Sequence, residues 1–288
     1  MLPDMPFITH KLGTTYFCSR GKRSAGMPLV FCHGGPGGTH DSLQALLDLS
    51  KTRQVFLYDQ IGGGRSTPLQ NSNMKISTFV WELRTLVEKW NLNEFHLGGA
   101  SWGATLALEY YLRCGKSQVR SLSLQSPYLS SSLWIADAKR LIKKLPKKTQ
   151  KVIRYCEEIS AFDAKVYKDA VSAYGKKHIC RVTRPRRNIP NTHGEEVYNY
   201  MWGPSEFTVV GTLKKYERRP ALSSVKIPVL YVCGEHDEAT PESCRKFAAR
   251  TPSAQIQVIP KASHIIGVEN PSALKRCLTK FLQEVELT

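Results

Sequence analysis

Two short strings in this chain carry the residue types that acyl transfer needs. Gly99-Ala100-Ser101-Trp102-Gly103 is a G-x-S-x-G pattern. It suits a serine nucleophile at the tip of a tight strand-to-helix turn, where the hydroxyl stands clear and small neighbours permit a strained backbone. In a chain with 20 glycines the pattern alone says little. Its context is right: residues 95–99 read as a strand and 104–112 as a helix. The second string, His33-Gly34-Gly35-Pro36-Gly37-Gly38, follows the apolar run Leu29-Val30-Phe31-Cys32. Glycines at such a turn let backbone N–H groups point into a site and hold a developing oxyanion. The N–H groups of Gly35 and Trp102 are therefore expected to form the oxyanion hole. His33 precedes the nucleophile and is expected to be a structural hydrogen-bonding residue rather than the base.

A serine nucleophile needs a base and an acid, which on this kind of scaffold follow in the order Ser, acid, His. After the run ending at Cys233 comes Gly234-Glu235-His236-Asp237-Glu238-Ala239-Thr240-Pro241. Asp237 falls just past the C-terminal end of a predicted strand, where open α/β sheets place their sites. The next strand ends at Ile259 and is followed by Lys261-Ala262-Ser263-His264. His264 is then placed to take the Ser101 proton while Asp237 orients it. Glu235 and His236 compete for these roles but, as neighbours of Asp237 on a turn, should point elsewhere.

The elements that must position these residues are legible as alternation. Short apolar runs at 29–32, 54–58, 95–97, 122–124, 228–233 and 255–259 alternate with helical patterns such as 76–90, 105–112 and 271–284. That predicts an α/β fold of the α/β-hydrolase type: a mostly parallel central sheet flanked by helices. From about 130 to 216 the strand signal stops. Basic amphipathic stretches take over, punctuated by Pro146, Pro185 and Pro190. The expected organisation is a core of residues 1–129 and 217–288 interrupted by a helical lid at 130–216.

At the site strings the chain resembles the proline iminopeptidases, a prolyl aminopeptidase family of the α/β-hydrolase superfamily. The resemblance rests on residues 33–38, on Asp59-Gln60-Ile61-Gly62-Gly63-Gly64-Arg65-Ser66, on 98–103, on Gly203-Pro204-Ser205-Glu206-Phe207 and on 234–241. It spans nearly the whole chain, is weakest between about 133 and 187, and is strongest toward the branch that includes the tricorn-interacting aminopeptidases. It implies release of an N-terminal residue, often proline, from short peptides without a cofactor or metal. An aminopeptidase must recognise a free ammonium, and Glu206 and Glu238 match the family's pattern for that task; a buried carboxylate supplies a strong charge-assisted bond there. Trp102, Trp202 and Phe207 either line an apolar slot for a proline ring or pack the core. Asp59 and Arg65 are expected to brace the loop. Ile61 departs from the Arg that many members carry after Asp-Gln.

Bulk composition bounds the rest. At 288 residues and 41% hydrophobic content the chain builds a sizeable core. No stretch approaches the roughly 20 apolar residues of a membrane span, and the N-terminus lacks a signal-peptide pattern, so a cytoplasmic protein is expected. The eight cysteines have no C-x-x-C spacing and read as reduced thiols. The net charge of +17 is concentrated between Lys139 and Arg187, where sixteen Lys and Arg face four Asp and Glu. A solvated lid surface explains this, and nucleic acid is not the expected partner. Two other functions stay open: an esterase, lactonase or amidase on the same scaffold, and a non-catalytic binding protein with a basic lid. Oligomeric state is not legible.

Overall fold

The runs Leu29–Cys32 and Val55–Tyr58 are buried at every position, as strands covered on both faces must be. In the computed structural model, which describes residues 6–183 and 192–287, they are β3 and β4 of one eight-stranded sheet. The others are β1 Phe7–His10, β2 Gly13–Arg20, β5 Phe95–Ala100, β6 Val119–Gln125, β7 Val229–Gly234 and β8 Ala254–Ile259. The spatial order is β1-β2-β4-β3-β5-β6-β7-β8. β3 to β8 are parallel, while β1 and β2 are antiparallel additions at one edge. Those two strands carry Thr, Ser and His, are only half-buried, and lack the continuous apolar run that marks the central strands.

Successive strand side chains point to opposite faces. Val30 and Cys32 enter one core with α1 (Ile76–Lys89) and α2 (Trp102–Tyr110). Leu29 and Phe31 enter a second core with the last helix of the chain, Pro271–Glu286. The helix expected at 104–112 starts earlier, directly at Trp102, and ends at Tyr110 in a wider turn, Tyr111–Gly115. The strand expected at 122–124 extends to Val119–Gln125, and the closing helix runs to Glu286.

Between β6 and β7 the chain forms α3 (Ser131–Ile142), α4 (Lys147–Glu158), α5 (Lys165–His178) and α6 (Thr192–Met201), with no strand among the described residues. The apolar faces of α3, α4 and α5 meet in a separate small core that includes Leu141, Ile153, Tyr167, Tyr174 and Phe207, whereas Val197 and Met201 of α6 join the main core of the sheet. The neck of this cap is closed by backbone pairing. Ser130 and Glu217 form an isolated antiparallel bridge, Ser131 N donates to Tyr216 O (2.8 Å) and Arg218 N donates to Leu129 O (3.0 Å). Pro146 caps the start of α4; Pro185 and Pro190 lie outside the described residues, as does part of the basic segment. After the cap come α7 (Pro241–Ala248), α8 (Ile266–Glu269) and α9 (Pro271–Glu286). Among the described residues no helix is long and apolar enough to cross a membrane.

One fully buried carboxyl does not line the cavity at Ser101. Glu82 of α1 accepts Thr15 Oγ1 (2.5 Å) and Ile61 N (2.8 Å), and its other oxygen has no partner among the described residues. Burial pushes its pKa up to about 8, against which the two bonds act only in part. The unfolded chain ionises near the ordinary value, so stability present below that value is lost as pH rises through about 8. Glu82→Gln should remove roughly 2–4 kcal/mol of that loss between pH 5 and pH 9. Urea melts at both pH values check it, and an equal loss in wild type and variant would contradict it.

Candidate active site

The residues expected to form the triad and the oxyanion hole fall at the C-terminal ends of the parallel strands, while Glu206 comes from the segment after α6. Ser101 follows β5, His33 to Gly38 follow β3, Asp237 follows β7 and His264 follows β8. The chain turns from one side of β3 and β5 to the other at this point, the crevice where such sheets accept ligands.

Ser101 has φ 56° and ψ −119°, a backbone state that non-glycine residues rarely adopt. Its neighbours leave no alternative. A Cβ on Gly99 would run into the Gly103 carbonyl, and one on Gly103 into the Cys32 carbonyl, so the helix packs directly on the strands. Ser101 N donates to Gln125 O (2.9 Å), which ties the turn to β6. The serine remains partly accessible at the wall of a cavity of about 190 Å³. His264, Glu206, Gly34 and Gly35 line the same cavity.

His264 Nδ1 lies 2.8 Å from Asp237 Oδ1. That bond leaves Nε2 as the proton-accepting nitrogen. Asp237 is buried, and its carboxylate is fully engaged. Ala239 N donates to Oδ1 (2.9 Å), while Gly234 N (3.1 Å) and the Ser126 hydroxyl (2.6 Å) donate to Oδ2. The Ser126 hydroxyl also lies 3.2 Å from the His264 carbonyl, so one side chain braces both acid and base. Glu235 and His236 turn away: Glu235 is exposed and accepts Lys261 N (2.9 Å), and His236 is half-exposed and lies outside the cavity lining.

The glycine-rich loop is held by an inward histidine. His33 Nε2 accepts Gln60 N (2.9 Å), and Nδ1 donates to Gly34 O (2.8 Å), which fixes the neutral tautomer. Burial depresses its pKa to about 4. The Gln60 side chain donates to His33 O (2.9 Å) and accepts Trp102 Nε1 (2.8 Å), joining the loop to the turn of Ser101. Neither Gly35 N nor Trp102 N donates to another group among the described residues. Asp59 accepts His40 N, His40 Nδ1 (2.6 Å) and Arg65 N (3.0 Å), and Arg65 reaches it at 3.2 Å. Burial opposes the Asp59 charge, but these bonds hold its pKa down to about 2. Ile61 is fully buried in the core, so its departure from the family's Arg does not face the cavity.

Two more carboxyl groups stand beside His264. Glu238 is buried, its Oε1 is 3.8 Å from His264 Nδ1, and neither oxygen has a hydrogen-bond partner among the described residues. Burial raises its pKa well above the carboxylate range, and the charges of Glu206 and Asp237 push it further. Burial likewise raises Glu206, partly offset by His264 and Tyr198. The hydroxyls of Tyr174 and Tyr198 act on this pair and are themselves buried without a closed hydrogen bond. The cap sets Glu206 in place: Trp134 Nε1 donates to its carbonyl (2.8 Å), and Thr208, next to its turn, donates to Glu157 of α4 (2.6 Å).

The rings proposed as a proline slot belong to the core. Trp102 packs edge-on against Phe79, Trp202 against Tyr128 and Trp134, and Phe207 against Tyr174; none of the three lines the cavity. Each has a bulky neighbour from another element, which its sequence position does not disclose. Trp134 instead meets His264 edge-on, with centroids 5.9 Å apart. Ser126, Tyr174, Tyr198 and Trp134 escape sequence reasoning, as does the bridging role of Gln60; Ser126 and Gln60 carried a signal, their places just past the ends of β6 and β4. The eight cysteines are all unbridged.

With the expected roles of Ser101, His264 and Asp237, Ser101 is reactive only while His264 keeps its tautomer. A fluorophosphonate probe should therefore label wild type at Ser101, and Asp237→Asn should slow labelling about 10³–10⁴-fold. Ser126→Ala removes one hydrogen bond to the charged carboxylate and should slow it about ten-fold. Mass spectrometry of the labelled peptide reads both, and unchanged labelling in Asp237→Asn would contradict the assignment.

The pattern of the alpha/beta hydrolase fold family matches residues 27–271. A proline iminopeptidase from Heyndrickxia coagulans is 37% identical over 284 residues, covering 97% of this chain and 98% of the relative. One from Lactobacillus acidophilus is 33% identical over 285 residues, covering 96% of each. The crystal structure of a proline iminopeptidase from Mycobacterium smegmatis superposes with a TM-score of 0.85 at 29% identity, covering 98% of this chain and 99% of that one. By fold, by the strings at its site and by identity along almost its whole length, the chain belongs to the proline iminopeptidase family of α/β hydrolases.

Proposed function

We propose that the chain is a serine aminopeptidase that releases an N-terminal residue, proline or another small apolar one, from short peptides. The observation that carries this reading is the carboxyl pair Glu206 and Glu238 near His264, of which both Glu238 oxygens are buried with no hydrogen-bond partner among the described residues. A buried carboxyl left without partners is unfavourable in itself, and a substrate ammonium supplies the partner. An esterase has no use for such a pair. The name of the relatives points the same way.

In this reading the substrate amine binds Glu206 and Glu238, which sets the first carbonyl carbon against Ser101. Ser101 Oγ attacks as His264 Nε2 takes its proton, and Asp237 stabilises the resulting imidazolium. The N–H groups of Gly35 and Trp102 hold the oxyanion. His264 returns the proton to the leaving nitrogen, so the shortened peptide departs as a neutral amine, and an acyl-enzyme remains. Water, activated by His264 in turn, releases the first residue and restores Ser101. The cap, residues 130–216 in this division of the chain, supplies Glu206. Eight unbridged thiols favour a cytoplasmic setting.

The raised pKa values of the pair set the sign of the pH response. At low pH the pair keeps a proton and binds an ammonium poorly; as pH rises it ionises and KM for a prolyl arylamide should fall. KM should rise again once the substrate amine itself deprotonates. Glu238→Gln should raise KM about 10–100-fold and flatten the acid limb. An N-acetylated substrate should not be cleaved. Equal turnover of acetylated and free prolyl arylamides would overturn the reading.

A further inference from the structure

The loop that carries His264 takes part of its backbone bonding from the cap. Ser263, His264 and Ile265 are consecutive, and their N–H groups go to three different acceptors. Ser263 N donates to Glu269 Oε2 (2.6 Å), His264 N to His178 O (3.2 Å) and Ile265 N to Ile179 O (2.9 Å). Ser263 and His264 are buried, so their N–H groups need partners within the protein. His178 and Ile179 close α5, and the last carbonyls of a helix have no partner inside it. Orphan acceptors of a cap helix thus meet orphan donors of the base loop.

Two side chains hold this junction in place. His178 Nδ1 donates to His236 O (3.1 Å), and His236 N donates to Ala262 O (2.9 Å). The end of α5 is thereby tied to the acid loop and, through it, back to the base loop. Burial lowers the His178 pKa, the bond to His236 offsets this in part, and the ring is neutral with its proton on Nδ1. Glu269, at the end of α8, accepts Arg181 N on Oε1 (2.7 Å) and both Ser263 N and Ser263 Oγ on Oε2 (2.6 Å each). One carboxyl group therefore spans from the chain just after α5 to the residue preceding His264. Neither His178 nor Glu269 lines the cavity at Ser101.

We infer that His178 and Glu269 are positioning residues for the reaction: together they lock the end of α5 onto the loop of His264 and so set the base against Ser101 and Asp237. The inference rests on Ser101, Asp237 and His264 acting as the triad, and it holds whatever acyl substrate they cleave. The core fixes the His264 ring through Asp237 (2.8 Å at Nδ1) and its carbonyl through Ser126 (3.2 Å). Two such anchors still permit rotation about the line between them. The bonds from His264 N and Ile265 N to the end of α5 remove it. Proton transfer is sensitive to that freedom, since a misplacement of about 1 Å costs on the order of 10²-fold in rate.

The test is the second-order rate constant for fluorophosphonate labelling of Ser101 in the full chain, with Tm measured beside it. A rate constant, unlike the extent of labelling, does not change when part of the sample is unfolded. Glu269→Ala should slow labelling about 10–100-fold and lower kcat for a prolyl arylamide in the same proportion, with KM within about two-fold of wild type. Glu269→Gln, which keeps an acceptor for Ser263, should recover most of the loss. His178→Leu should slow labelling about ten-fold, and His178→Asn, which keeps a donor for His236 O, should recover it. Ile153→Ala empties part of the cap core on α4 and should lower Tm while leaving the rate constant unchanged. Wild-type rate constants in Glu269→Ala and His178→Leu overturn the positioning role while the triad stands, and so does an equal slowing in Ile153→Ala. Labelling of Ser101→Ala at the wild-type rate overturns the triad itself, and the positioning role with it.

Discussion

The backbone of Ser101 is the constraint around which the rest is built. A non-glycine residue at φ 56°, ψ −119° costs on the order of 1–3 kcal/mol and persists only where its surroundings allow nothing else. Here they do not. α2 is buried along its entire length, so it cannot shift to relieve the turn. Gly99 and Gly103 allow it to sit flush on β5 and β3. Gln125 O, Gln60 Oε1 and the packing of Trp102 on Phe79 fix the turn from three directions. The strain holds a hydroxyl out from the sheet, and the same contacts place the Trp102 N–H and the Gly35 loop on one side of it. In the proposed roles, Ser101 as nucleophile and the Gly35 and Trp102 N–H groups as oxyanion donors belong to one rigid unit, joined through Gln60.

Charge at the site follows from a similar economy of partners. Asp237 is saturated by two backbone N–H groups, a hydroxyl and His264, so its negative charge is held without dependence on solvent. Glu238 is its immediate neighbour and is left with nothing. Two adjacent residues on one turn thus have opposite environments. That contrast is what a division of labour requires: one carboxylate committed to a histidine, the next kept unsatisfied for a cation from outside. Among the described residues no Lys or Arg lines the cavity at Ser101.

Much of this was legible from local pattern. Ser101, Asp237 and His264 each follow a continuous apolar run, and a strand-end position is a property the sequence displays directly. The glycine-rich strings are legible for the same reason, because close backbone approach tolerates no side chain. What stayed hidden depends on chain segments far apart. Ser126 matters because β7 and β8 bring Asp237 and His264 to it across more than a hundred residues. Tyr174 and Tyr198 matter because two cap helices converge on Glu238 and Glu206. The edge strands β1 and β2 were hidden by their half-polar composition, and the fate of the Trp102 ring by a packing partner 23 residues upstream.

The cap is better understood as part of the catalytic scaffold than as a cover. Its neck is a backbone bridge at Ser130 and Glu217, and Asp137 of α3 accepts the hydroxyls of Thr240 and Ser243 at the start of α7 (2.7 and 2.6 Å), just past Glu238. The far end of α5 is hydrogen-bonded to the backbone of His264 itself. Any rigid-body opening of the cap would have to break the His264–His178 and Ile265–Ile179 bonds and so disturb the base. A cap that moved as one lid would couple every opening to loss of the reactive geometry. The wide cleft of about 840 Å³ between α5, α6 and the Gly35 to Gly38 loop lies away from this clasp. The clasp ties the end of α5 to the loop of His264 and so helps to keep His264 and Asp237 in register.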